Sequence, residues 1–152
     1  DLATAKDTVS IKLKDPGKSV TAIFEENIME GWLAGAKFIA WYGKDYLFTQ
    51  LKKEPNREVS GVYSLELVLQ GEDTGQIGEL TLQQDKNRMA GELKVNEVRL
   101  NLEGTIQRDK IYLSGFNGSQ AVLLQGKIDS SNSIFGTYRD LDQRMGFWKI
   151  TI

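Results

Sequence analysis

Seven glycines return every ten to thirteen residues along the second half of the chain (Gly78, Gly91, Gly104, Gly115, Gly126, Gly136, Gly146), and short apolar-polar alternations fill the segments between them. Alternation with period two turns one face of a strand toward a core, and glycines beside Asn, Asp and Ser read as the positive-φ positions that let a chain reverse. The pattern predicts an antiparallel meander, with strands at 58–70, 76–84, 88–95, 98–107, 110–116, 120–128, 133–139 and 145–152. In the first of these, Tyr63, Leu65, Leu67 and Leu69 share one face and Ser64, Glu66 and Val68 the other. Twisted sheets of this length curl and close, because closure removes unpaired edges. The expected fold is mainly β, an up-and-down meander of about eight strands closed or rolled into a barrel. Asn117-Gly118 predicts a type I′ hairpin turn with both residues left-handed. With Ser119 it also spells an acceptor for N-linked glycan in a eukaryotic secretory pathway.

The N-terminal third reads differently. Val9, Ile11 and Leu13 alternate with polar residues from Thr8 to Lys14 and meet Asp15-Pro16-Gly17, which predicts a strand and a turn. Val20, Phe24, Ile28, Trp32, Ala36 and Ile39 then recur at three- and four-residue steps, so an amphipathic helix is expected over 20–42, stopped by Gly43. Gly31 and Gly35 in its middle cost about 1 kcal/mol each against alanine, which leaves open a hairpin over 37–50 turning at Gly43-Lys44-Asp45. The G-x-x-x-G that these two glycines form reads as a place where a helix backbone lies close on a sheet. The helix is expected to cover an open edge or one mouth of the barrel. Lys52, Lys53 and Arg57, interrupted by Glu54 and Glu58, form a solvated connector that Pro55 and Asn56 end. The 152 residues read as one domain, 1–56 leading into the meander of 57–152, and 40% hydrophobic residues suffice for its core.

Composition closes several functions. The formal charge is −2 with both signs dispersed, which disfavours nucleic acid and anionic lipid as partners. There is no cysteine, hence no disulfide, thiolate nucleophile or cysteine-held metal. There is no histidine either, which removes Ser-His and Cys-His catalysis, histidine-ligated metals and the usual neutral-pH proton shuttle. No cofactor is expected. The stretch 28–42 is broken by Glu30 and Lys37 and is too short to span a bilayer, so no transmembrane segment is expected. Because the chain starts at Asp1, either a processed mature protein or a trimmed chain whose leader was left out is expected, with export following from a leader and room for a lipid anchor upstream.

The run Ile111-Tyr112-Leu113-Ser114-Gly115-Phe116-Asn117-Gly118-Ser119-Gln120-Ala121, then Leu123 to Ile128 and Ile134-Phe135-Gly136-Thr137-Tyr138, resembles the β domain ahead of the thioredoxin domain in exported TlpA-like proteins of Bacteroidetes. There a strand, a Phe-(Asp/Asn)-Gly turn, a second strand and a Gly-Thr-aromatic third follow one another. The Cys-x-x-Cys thioredoxin domain has no counterpart here, so the resemblance implies only an extracytoplasmic β domain of accessory role, in the periplasm, on the outer membrane or secreted. Generic bacterial lipocalin-like barrels share the Gly-Thr-Tyr and closing Gly-x-Trp rhythm.

Candidate chemistry concentrates at Tyr138-Arg139-Asp140-Leu141-Asp142-Gln143-Arg144, where two carboxylates and two guanidiniums could clasp an anion or, through Asp140 and Asp142, calcium; a solvated loop with local ion pairs is the better expectation. Trp32, Trp41, Tyr42, Tyr46 and Phe48 crowd the first third and Phe135, Tyr138, Phe147 and Trp148 the end, most of them expected in the core. An eight-stranded barrel is near the size that side chains just fill, so a hollow lumen and a packed one are both open. In a hollow barrel, Trp32, Tyr63, Phe116, Tyr138, Arg139 and Trp148 are the candidate ligand-binding residues. Three functions follow. The favoured one is a non-catalytic, extracytoplasmic binding or accessory module, for a small apolar molecule or another protein. The second is an interaction or inhibitor domain with a packed core, and the third a carboxylate-dependent hydrolase.

Overall fold

The computed structural model describes residues 7–12, 19–25, 28–33, 36–41 and 53–152. The chain divides into two compact units, Asp1–Gln50 and Leu51–Ile152. The second is the barrel. Its strands are β5 (Gly61–Leu69), β6 (Gln76–Asp85), β7 (Arg88–Val95), β8 (Val98–Gln107), β9 (Lys110–Phe116), β10 (Ala121–Ile128), β11 (Ser133–Asp140) and β12 (Met145–Thr151). Each pairs antiparallel with the next, and β12 returns to β5 through Gly146↔Leu69, Phe147↔Val68, Trp148↔Leu67 and Lys149↔Glu66. The meander is therefore a closed barrel without a free edge, as the alternation predicts.

The glycine rhythm has the expected period but another cause. All seven glycines lie inside strands, one in each of β6 to β12, at the inward phase of the alternation. None has a positive φ; among the described glycines only Gly71 and Gly118 do. What they supply is space. A Cβ on Gly104 would sit 1.8 Å from the Tyr112 carbonyl oxygen, and one on Gly136 1.8 Å from that of Gln125. Strands coiled tightly enough to close eight into a barrel bring backbone against backbone, and only glycine fits at those points.

The reversals are made elsewhere. Two-residue loops join β6 to β7, β7 to β8 and β8 to β9, and their first residues are Lys86, Asn96 and Arg108, at φ of 54°, 53° and 56°. The Asn117-Gly118 turn is not type I′: Gly118 alone is left-handed, at φ 95°. The connection is four residues long, with Phe116 paired to Ala121. The Asn117 Oδ1 accepts from the backbone N–H groups of Ser119 and Gln120, so an Asx turn replaces the tighter one.

Inward residues of all eight strands form one contiguous apolar core that includes Leu65, Leu80, Leu93, Leu102, Leu124 and Trp148. The connector before β5 closes one mouth. Val59 is fully buried there and its N–H donates to Gln84 Oε1, while the Asn56 N–H donates to the Arg108 carbonyl and the Arg108 N–H to that of Glu54. At the other mouth Leu141 is buried and its N–H donates to the Ala121 carbonyl.

The first unit is a four-stranded antiparallel sheet in the order β1 (Asp7–Lys12), β2 (Ser19–Glu25), β3 (Ile28–Leu33), β4 (Ala36–Trp41). The first strand agrees with expectation. The helix over 20–42 does not: its described residues are β2, β3 and β4, and no helix occurs among the described residues. Val20-Thr21-Ala22-Ile23-Phe24 is rich in β-branched and aromatic residues and pairs in register with Met29 to Leu33. Gly31, a liability in a helix, sits opposite Ala22, where a Cβ would meet the Thr21 carbonyl oxygen at 2.2 Å. Gly35 and the turn at 43–45 lie outside the described residues.

Candidate functional site

Closing a barrel gives each strand one dry and one wet face, so every candidate residue is sorted by its phase. Trp148 points inward and is 1% exposed. Its ring lies beside Gly126, where a Cβ would be 2.6 Å from Cζ2, and its Nε1–H is shared between the carbonyls of Thr137 (3.1 Å) and Gln125 (3.3 Å). Tyr63 points inward near the Val59 mouth, and its hydroxyl donates to the Val59 and Ser60 carbonyls. Burial, reinforced by Glu58, holds that phenol above its usual range.

Tyr138 is inward at the opposite mouth and 8% exposed, its hydroxyl 3.4 Å from Asp140 Oδ2. Burial first, and the Asp140 charge second, push its pKa up to about 12. Arg139 and Phe116 point outward on the barrel wall, and Arg139 reaches the Met145 sulfur at 3.8 Å. Trp32 is on β3 of the separate sheet, exposed, between Thr21 and Lys37 in register. The five barrel candidates divide between the two faces, Tyr63, Tyr138 and Trp148 inward and Phe116 and Arg139 outward.

The lumen is occupied by the protein itself. A space large enough for a ligand leaves its lining side chains with surface that water can touch. Leu65, Leu80, Ile106, Ile111, Leu124 and Ile134 have none. At the Leu141 mouth a recess of about 50 Å³ remains, lined by Ser119, Gln120, Tyr138, Asp140 and Arg144 among others. That volume holds a few waters, far below the several hundred Å³ of a drug-sized site.

Asp140 organises that mouth. Its carboxylate accepts from the backbone N–H groups of Asp142 and Arg144, both at 3.0 Å, and from Arg144 Nε at 2.7 Å. These bonds fold the β11–β12 loop, in agreement with the expected local ion pairs. Among the described residues no group of three or more His, Cys, Asp or Glu side chains could hold a metal ion.

The outer wall is where the residues diverge most from expectation. Phe147 and Phe135, among the aromatics of which most are expected in the core, are 69% and 51% exposed. With Tyr112, Phe116, Leu123 and Met145 they lie on the outer faces of β9 to β12, and Val68 faces Phe147 across the closing pair of strands. Phase alone separates Phe147 from Trp148, since Phe147 alternates with Lys149 and Thr151 on the wet face and Trp148 with Gly146 and Ile150 on the dry one, and aromatic character points the other way for Phe147.

Charge is divided just as unevenly. On β6 to β8, Glu79, Lys94, Glu92 and Arg99 form a chain of ion pairs, Lys94 Nζ lying 2.7 Å from Glu79 and 3.1 Å from Glu92. Hydrogen bonds from Arg99 and then Lys94 hold the Glu92 carboxyl below its usual range. On β9 to β12 the outward charges are Lys110, Lys127, Arg139 and Lys149, and no outward position of those four strands carries a carboxylate.

No protein-family model matches this chain, and no curated protein sequence does.

Proposed function

We propose that the protein is a non-catalytic binding module whose packed barrel is a rigid scaffold and whose outer wall engages another macromolecule. The observation that carries this is the pairing of a sealed lumen with uncovered aromatic side chains on one side of the barrel. Leaving a Phe outside forgoes about 1.5–3 kcal/mol of burial, which a partner covering the wall would restore. An internal apolar ligand has less support, since the inward side chains offer it no accessible surface. The hydrolase alternative has less again, because the Asp140 oxygens are committed to Arg144 and two backbone amides. An accessory role is also what the resemblance of Ile111 to Tyr138 implies.

Methyl-resolved NMR with indole as a small apolar probe tests the reading. Shifts confined to outward methyls such as Leu123 agree with it. Saturable shifts of Leu65, Leu124 and Ile134 would show a ligand cavity and overturn it.

A further inference from the structure

We infer that the β9–β12 wall docks an extended, acidic segment of another protein, with carboxylates spaced between apolar side chains. This rests on the binding-module reading and names the partner's chemistry.

Two rows of outward side chains cross the strands in register. One runs Tyr112, Gln125, Thr137, Phe147 and Val68. The next, two residues along, runs Lys110, Lys127, Phe135, Lys149 and Glu66. The first is uncharged and half apolar; the second carries three lysines around a phenylalanine.

Lys110 and Lys127 are direct cross-strand neighbours, an arrangement that costs stability in an isolated sheet. Asp109 lies 3.4 Å from Lys127 and Glu66 stands opposite Lys149 in register, so the carboxylates nearest this row come from a turn at the barrel end and from β5, and none from β9 to β12. Unlike β6 to β8, the outward positions of β9 to β12 carry no carboxylate of their own to pair with these lysines, which leaves cations and aromatics interleaved on the wall. An acidic partner supplies the missing carboxylates, while its apolar side chains cover Phe135 and Phe147.

The wall's curvature selects among anionic partners. Successive strands of an eight-stranded barrel turn by roughly 45° about its axis, so β9 and β12 face directions roughly 135° apart. A flat bilayer cannot meet Lys110 and Lys149 together, whereas an extended polypeptide can follow the row. Single-stranded nucleic acid could also bend around it, but four cations on a chain of net charge −2 give little of the phosphate neutralisation on which such binding depends.

The test uses the full chain and fluorescence anisotropy. The probe is a labelled twelve-residue peptide alternating Glu with Leu and Phe; oligouridine and phosphatidylserine vesicles are the comparison arms. Saturable peptide binding that weakens with salt is expected. It should fall about tenfold in Lys127→Glu and again in Lys149→Glu, and in Phe147→Ser, but not in Lys86→Glu, which reverses a charge on the β6–β7 turn. Circular dichroism and thermal melting confirm that each variant is folded. The inference is overturned if the peptide does not bind, if Lys86→Glu weakens it as much as the wall variants do, or if oligouridine or vesicles bind through these residues in its place. Any of these with a sealed lumen in the indole titration leaves the binding-module reading standing; shifts of the inward methyls would remove that reading itself.

Discussion

Replacing Gly136 by alanine probes the barrel's construction at its tightest point. The new Cβ would lie 1.8 Å from the Gln125 carbonyl oxygen and 2.6 Å from the Gly126 Cα, both backbone atoms of the paired strand β10. Ordinary contact needs more than 3 Å, so β10 and β11 must part by over 1 Å. Overpacking of this kind costs about 1–3 kcal/mol. Each ladder hydrogen bond stretched adds about 0.5–1.5 kcal/mol. Against this, alanine restricts the unfolded chain and returns about 0.4–1 kcal/mol. The balance is a loss of about 2–3 kcal/mol, or roughly 10–20 °C in melting temperature for a unit of this size. Gly75→Ala is the control. Its Cβ would make ordinary contact with the Val68 side chain at 3.4 Å, so that variant should be neutral or slightly more stable. Urea unfolding of both, with m compared to confirm equal exposed surface, decides the matter. Equal stability of Gly136→Ala and wild type would refute the claim that glycine is there for backbone approach.

Arg108 is exposed and left-handed at φ 56°, a conformation costly for a long side chain, so Arg108→Gly should stabilise the fold by about 0.5–1 kcal/mol, read as a higher urea midpoint. Tyr138, with its pKa near 12 in the fold against about 10 unfolded, favours the folded state fully below pH 10 and progressively less as pH rises through 12. The loss over that window is about 2–3 kcal/mol, measured by urea unfolding at stepped pH, and Tyr138→Phe should flatten it. In an ultraviolet titration of the five tyrosines, Tyr138→Phe should remove an ionisation near pH 12.

How far the chain could be read depends on which physical signal each segment carries. The strands β5 to β12 were legible because a half-buried strand must alternate, and Leu65, Leu67 and Leu69 against Ser64, Glu66 and Val68 leave one solution. The glycines were legible as a period and misleading as a mechanism: a turn glycine and a barrel-bend glycine recur at the same spacing, and only register separates them. The stretch from Val20 misled because Val20, Phe24, Ile28 and Trp32 also fit a helical stripe; the β-branched residues and Gly31 were the signal for strands. The outer wall was misleading because aromatic character points Phe135 and Phe147 to the core, although Thr137 and Arg139 beside the first and Lys149 and Thr151 beside the second mark the wet phase. The lysine row was hidden, as Lys110, Lys127 and Lys149 are distant in sequence and meet only through pairing across the barrel.

The sealed lumen can be measured at Trp148. With Trp32 and Trp41 replaced by Phe, Trp148 is the only tryptophan left, and its fluorescence reports the barrel interior. A packed core predicts blue-shifted emission almost untouched by acrylamide until the barrel unfolds. Red-shifted emission quenched by acrylamide in the folded protein would mean a wet, open interior and would contradict the account.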